Sequence, residues 1–409
     1  MTERSGLLQP VVAGLVSTVV GFSSSFAVVL AGLRAVGATP SQAASGLSTA
    51  CLAIAVCSIG FAVVLRRPVA IAWSTPGAAL LVTAGEPAGG FRTAVGAFLV
   101  AGALLAVTGL VPQLAAVVRR IPAAVANAML AGVLLGLCVQ PLVALPRNPL
   151  GIGAMLAAWV VLQRLAPRWS VPGALVAGLA VFLLQGPAAP VAVPAPLPRL
   201  LPIAPLLDLP AVLGIAVPLY LVTMTAQNLP GVAVMRSLGW EVPWRPAMVA
   251  TGGATAVGAL TGGHTINLAA ITATLTAGPD AGADRGRRWV AVCACGAGYL
   301  LLGALTPVVV AVAVAAPTGL LAGFAGIALL GPLAGALARA VADERDRLAG
   351  AVALVVAASG VVLGGVGSAF WALVAGSAVV AVDRLRRRPD PPGVESAPPQ
   401  AASRPPAPF

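Results

Sequence analysis

The chain has 409 residues, 59% of them hydrophobic and 9% charged, and a mean hydropathy of +0.99. A soluble protein of this length carries far more charge, so the composition excludes one and points to a membrane protein throughout. The formal charge of +12 comes from 24 arginines and no lysine, scattered along the chain, which excludes a nucleic-acid partner and leaves the lipid bilayer as the medium.

Apolar runs near the ~20 residues that cross a bilayer core recur from Val11 to Val382. Residues 1–10 lead straight into the first run without a separate cleavable segment, so the first span is expected to direct insertion. The joints of Arg, Pro and Gly predict about fourteen spans. The first seven lie at roughly 10–32, 42–65, 69–83, 92–118, 122–142, 149–163 and 171–186. The second seven lie at roughly 208–229, 247–262, 264–277, 289–315, 318–338, 348–363 and 367–382. Between them, 187–207 is a proline-rich external connector, and 389–409 is a Pro-rich tail expected to be disordered and cytoplasmic. The five cysteines, Cys51, Cys57, Cys138, Cys293 and Cys295, sit in apolar runs without metal-ligand or disulfide spacing and serve as small packing residues.

Arginine placement supports the span count. With the N-terminus inside, only Arg34, Arg92, Arg147 and Arg199 fall on external joints, so both termini are expected to be cytoplasmic. The two halves are also alike. Leu33 to Gly37 after the first span is similar to Met235 to Gly239 after the eighth, and Leu80 to Gly85 is similar to Ala273 to Gly278. Because the corresponding joints fall on opposite sides of the membrane, the second seven spans repeat the first upside down, which places a transporter site at the repeat interface near mid-membrane. The predicted fold class is therefore all-α and polytopic, in two inverted repeats of seven, with short β-strands in the broken spans three and ten.

Those two spans carry the chemistry. Each opens with a β-favouring, polar-dotted stretch and then becomes a small-residue helix. In the first half, Trp73-Ser74-Thr75-Pro76-Gly77 offers Ser74 or Thr75 as an N-cap and Pro76 for the first turn. In the second half, Gly262-Gly263-His264-Thr265-Ile266-Asn267 offers Asn267 as the cap, with Ile266 beside it. Two half-helices that start inside the membrane aim unpaired N–H groups at one volume, which favours an anion; the bland alternative is a pair of re-entrant packing elements. The eighth span adds the amides Gln227 and Asn228, either as donors to a carboxylate or as ordinary helix-end caps. The first span adds Phe22, Ser24, Ser25 and Phe26, whose hydroxyls can face the site or bond their own backbone and whose rings can flank an aromatic guest.

Glu86, Glu241, Asp280 and Asp284 lie in joints and Asp208 at a span entrance, as suits a site for an anion. His264 is the only histidine, and with a reference pKa of about 6.5 it is the candidate for proton coupling; a neutral structural histidine is the alternative. No Ser/His/Asp set, paired carboxylates or metal-ligand cluster is visible, so no enzyme, metal or other cofactor is expected.

Four segments carry a resemblance: GFSSSFAVVL (Gly21 to Leu30), AIAWSTPGAALL (Ala70 to Leu81), QNLPGVAV (Gln227 to Val234) and GGHTINLAAITA (Gly262 to Ala273). In this order they resemble the benzoate/proton symporter family of bacterial permeases, within the seven-plus-seven inverted-repeat group that includes uracil and xanthine permeases. The resemblance implies a substrate-carrying core of 10–118 and 208–315 and a gate of 119–186 and 316–388. It further implies proton-coupled uptake of benzoate, or another small aromatic carboxylate, through the bacterial inner membrane by alternating access, with homodimers common in the group. Nucleobase permeases of this fold typically place acidic residues in spans eight and ten. Gln227, Asn228 and Asn267 in those regions disfavour a nucleobase and agree with an anion. Transport of another anion on the same fold and a passive anion channel are the alternatives.

Overall fold

The first span breaks where its serines compete with the helix. Ser24 and Ser25 each return a hydroxyl to the Gly21 carbonyl at 3.1 Å, dividing the span into α1 (Thr2–Ser23) and α2 (Phe26–Ala35). The computed structural model describes residues 2–186, 197–270 and 272–386. The expected tail at 389–409, and 187–196 of the expected connector, lie outside these.

The rest of the first half runs α3 (Pro40–Leu65), β1 (Ile71–Trp73), α4 (Thr75–Ala84) and α5 (Phe91–Leu110). It continues with α6 (Pro112–Arg120), α7 (Ala123–Cys138), α8 (Gln140–Ala144), α9 (Pro149–Leu165) and α10 (Ser170–Gln185). A capping box starts α3, with Thr39 and Gln42 each satisfying the other's main-chain N–H. The fourth span is shorter than expected. It ends at Leu110, because Val111 turns extended and Pro112, which lacks an N–H, opens the separate helix α6.

The second half runs α11 (Leu209–Ser237), α12 (Trp244–Ala259), β2 (Ile266–Leu268), α13 (Ala273–Ala277), α14 (Trp289–Ala304), α15 (Thr306–Ala315), α16 (Leu320–Ala340), α17 (Arg347–Ala358) and α18 (Ser368–Arg386). Helix α11 contains two π turns, Val212–Ala216 and Met224–Asn228, each just ahead of a proline, Pro218 and Pro230. A proline ring crowds the carbonyl one turn earlier and offers no N–H, and a widened turn relieves both. The segment containing α14 bends by 56° into α15 at Leu305, just before Pro307. Each of the fourteen expected segments has a helix or a strand-and-helix counterpart. Among the described residues, eight helices are long and apolar enough to cross a membrane, nine with the bent pair taken as one span.

The upside-down repeat shows in the packing. Helix α14 of the second half packs on α3 of the first, and the equivalent pair, α5 of the first half and α12 of the second, packs in the same crosswise way. Gly102 and Gly252 let α5 and α12 approach so closely that a side-chain carbon on Gly102 would lie 2.5 Å from the Ala256 nitrogen. Without a hydrophobic drive between helices in lipid, such close backbone contact is a main source of association. The repeats also brace their strands alike. The Ser58 hydroxyl of α3 accepts from the Ile71 N–H, and the Thr255 hydroxyl of α12 accepts from the Ile266 N–H, both at 3.1 Å. A second group of contacts joins α7, α16, α17 and α18, with α9 paired to α10. Outward-facing apolar side chains such as Val64, Leu184 and Leu183 present hydrocarbon to the surroundings, as lipid requires.

Candidate functional site

At membrane depth an extended segment must find partners for its backbone, and here the two broken spans find each other. Strands β1 and β2 run antiparallel, with Ile71 opposite Leu268, Ala72 opposite Asn267 and Trp73 opposite Ile266. The ladder continues past both ends, from the Ser74 N–H to the Thr265 carbonyl at 2.9 Å and from the Ala269 N–H to the Ala70 carbonyl at 3.0 Å.

Helix α4 starts as its sequence predicts. Ser74 is the N-cap and its hydroxyl accepts from the Gly77 N–H at 3.1 Å. Pro76 has no N–H and the Ala78 N–H goes to the Ser74 carbonyl, which leaves the Thr75 N–H as the uncapped donor of the first turn. The Thr223 hydroxyl of α11 donates to Ser74 Oγ at 2.9 Å and lies 3.2 Å from the Thr265 hydroxyl. All three are buried, so this hydroxyl cluster ties α11 to both broken spans.

The second broken span departs from expectation. Asn267 is not a helix cap but the middle residue of β2, because the extended ladder runs on to Ala269 and leaves no room for a helix before it ends. Helix α13 begins only at Ala273, spans five residues and has no side-chain cap. Its dipole is correspondingly slight. With its amide turned so that the oxygen faces the Ser74 N–H, Asn267 accepts from it at 3.0 Å, sharing that donor with the Thr265 carbonyl, and donates to the Leu268 carbonyl at 2.9 Å. Asn228, presented by the second π turn, accepts from the Leu268 N–H at 2.9 Å. Both amides are 0% exposed.

A cavity of about 50 Å³ lies where the breaks in α1 and the two strand-helix spans meet. Five of the residues singled out from sequence line it: Ser24, Ser25, Trp73, Thr75 and Gln227. The Gln227 amide and the Thr75 hydroxyl make no hydrogen bond among the described residues. Among the described residues, no charged side chain lines the cavity. Ser74, Asn228, Ile266, Asn267 and His264 are buried in the frame behind the lining. His264 is 1% exposed and, among the described residues, neither ring nitrogen makes a hydrogen bond. Two further polar lining residues, Thr272 and Tyr299, were not singled out from sequence. Tyr299 had a signal: it is one of two tyrosines in the chain and sits within an apolar span. Thr272 lies inside the GGHTINLAAITA segment, but nothing distinguishes it there.

Phe22 and Phe26 face the other way. Their rings stack at 5.3 Å and line a larger apolar cavity of about 270 Å³ with Phe182, Leu320 and Phe324. A run of rings joins the two cavities: Tyr299 stands edge-on to Trp73 at 5.7 Å, Trp73 lies 5.6 Å from Phe22, and Phe26 lies 5.8 Å from Phe324 of α16. An uncharged polar pocket next to an aromatic, apolar chamber suits a guest with one anionic end and one ring.

The transmembrane domain of a cyanobacterial bicarbonate transporter, BicA, superposes with a TM-score of 0.57 at 17% identity, covering 93% of this chain and 97% of that one. SLC26A9 superposes with a TM-score of 0.63 at 12% identity, covering 95% of this chain and 67% of that one, and these likenesses establish the fold. In sequence, the inner membrane protein YdcO of Escherichia coli K12 is 36% identical over 91% of this chain and 95% of its own length. The benzoate membrane transport protein of Acinetobacter baylyi is 30% identical over 90% of this chain and 93% of its own length. The family model for benzoate membrane transport proteins, BenE, matches residues 7–382. From α1 to α18, then, the chain belongs to the benzoate membrane transport protein family and is a polytopic membrane transporter rather than an enzyme.

Proposed function

We propose that this transporter takes up benzoate or a related aromatic carboxylate through the bacterial inner membrane, coupled to protons, with both termini cytoplasmic. The observation that carries this reading is an uncharged donor-bearing pocket set beside an apolar aromatic chamber, with the Trp73–Phe22 ring contact between them. The carboxylate meets the Gln227 amide and the hydroxyl and N–H of Thr75, and the ring lies against Trp73 and Phe22. The apolar chamber favours an aromatic acid over an inorganic oxyanion, for which it offers no hydrogen-bonding group.

A carboxylic acid with a pKa near that of Glu, about 4.3, is an anion at neutral pH. Moving it against a negative-inside potential costs about 2.3 kcal/mol per charge per 100 mV, and a cotransported proton removes that opposition. His264, buried beside the ladder without a hydrogen bond, is the group we assign to proton coupling. An aromatic acid is several times the size of a water, whose share of liquid volume is about 30 Å³, so the pocket widens to admit it. The motion we propose is alternating access, with the core of 10–118 and 208–315 moving against the gate of 119–186 and 316–388. Phe324 of α16 meets Phe26 at their contact.

The test is uptake of labelled benzoate by purified protein in liposomes under an imposed pH gradient. Accumulation above the external concentration that collapses with the gradient is expected, and His264→Gln should keep benzoate binding while losing gradient-driven accumulation. Equilibration without accumulation indicates a passive channel instead. Competition by sulfate but not by aromatic acids removes the aromatic specificity.

A further inference from the structure

The chain's two tyrosines differ in a way that points to the cavity. Tyr220 is 4% exposed and its hydroxyl pairs with Thr108 at 2.7 Å. Tyr299 is 3% exposed, lines the small cavity, and its hydroxyl makes no hydrogen bond among the described residues. The ring is buried but the hydroxyl opens onto the cavity, so its hydrogen bond is left to whatever occupies that space.

Its position is fixed from two sides. Helix α14, which carries Tyr299, packs along α1 and α3, and Thr18 of α1 donates its hydroxyl to the Cys295 carbonyl at 3.0 Å, one turn before the tyrosine. The ring is held edge-on by Trp73. The hydroxyl then points toward α1 at Gly21, where a side-chain carbon would lie 2.8 Å from it and 3.2 Å from a Thr272 methyl. Any residue larger than glycine at position 21 would occupy the ground in front of this oxygen.

We propose that the Tyr299 hydroxyl donates a hydrogen bond to the substrate carboxylate and that Gly21 keeps the space before it open. This rests on the carboxylate reading above and adds the group that separates a charged acid from its neutral isostere. A tyrosine suits the task. It offers one donor without a charge, so it holds an anion without the strong electrostatic trap an arginine would set, and release on the other side stays fast.

The experiment measures benzoate and benzamide affinity by thermal shift on the purified full-length protein, together with benzoate uptake in liposomes. Tyr299→Phe removes only the hydroxyl. Benzoate affinity is expected to fall roughly 10- to 100-fold, the range for a hydrogen bond to a charged group, while benzamide, whose carbonyl accepts only a neutral hydrogen bond, should lose clearly less. The half-saturation concentration for uptake should rise in parallel. Tyr220→Phe, whose hydroxyl serves the fold, should lower melting temperature and leave benzoate affinity alone. Gly21→Ala should also weaken benzoate, and less so when added to Tyr299→Phe, since the two act on one space. Wild-type benzoate affinity in Tyr299→Phe overturns the proposal while leaving the transport reading intact. A wild-type protein that binds no benzoate overturns the transport reading and the proposal together. Equal loss for benzoate and benzamide also overturns it, because a bond to the charged carboxylate should cost benzoate more.

Discussion

The two broken spans use one backbone device and finish it differently. Each starts as a three-residue strand, each strand takes a hydroxyl from the preceding helix onto its first N–H, and the two pair with each other. Beyond the ladder the first becomes a ten-residue helix with a serine cap, while the second becomes a five-residue helix without a side-chain cap. The first half therefore supplies the main-chain donor and dipole end, through Thr75. The second half is held by side chains, with Asn267 and Asn228 bonding the ladder itself. Repeated architecture at a transporter site thus leaves the two sides free to specialise: one provides a helix end, the other a polar brace.

The largest effect should come from breaking that brace. Asn228→Ala leaves the Leu268 N–H buried without its acceptor, a loss of roughly 1–3 kcal/mol. Melting of the detergent-solubilised protein should fall clearly, and benzoate uptake should be lost with it. If Asn228→Ala melts like the wild type, the second span does not depend on side-chain bracing and the contrast between the halves is gone.

The adjacent residue sharpens the same point. Gln227 makes no hydrogen bond within the described protein, so Gln227→Ala should leave melting unchanged while benzoate affinity drops roughly tenfold or more, as for a lost bond to a charged group. Two neighbouring amides on one π turn would then divide into a ligand contact and a brace. A melting loss equal to that of Asn228→Ala would put Gln227 in the frame as well.

This division marks the limit of what could be read from the sequence. The broken spans, their β-favouring starts and the Ser74 cap were legible because local propensity and the membrane's demand for satisfied backbone agree there. The role of Asn267 was not. Asparagine before a small-residue run signals a cap, but pairing with β1, a contact across almost 200 residues, holds it in a strand. Which of Gln227 and Asn228 faces the cavity was also hidden, since a regular helix and a π turn present the same residues on different faces, and Pro230 selects the second. Phe22 and Phe26 were recognised as possible ring neighbours, but their place in a separate chamber depends on Phe324, far along the chain in α16.

The smallest effect tests the first span alone. Ser74→Ala removes the side-chain acceptor of the Gly77 N–H, a cap worth about 1 kcal/mol, and takes away the acceptor of the Thr223 hydroxyl. Thr272→Ala, at the equivalent helix start, removes a hydroxyl that caps nothing and should not change melting. Helix α4 would fray at its first turn in Ser74→Ala, bringing more main-chain donors into play but holding none of them in place, so benzoate affinity should fall only several-fold. Paired melting and affinity measurements on the two variants decide the matter. A Thr272→Ala loss as large as that of Ser74→Ala would mean that both helix starts are anchored alike, and the specialisation of the halves would then reside only in the amides that hold β2.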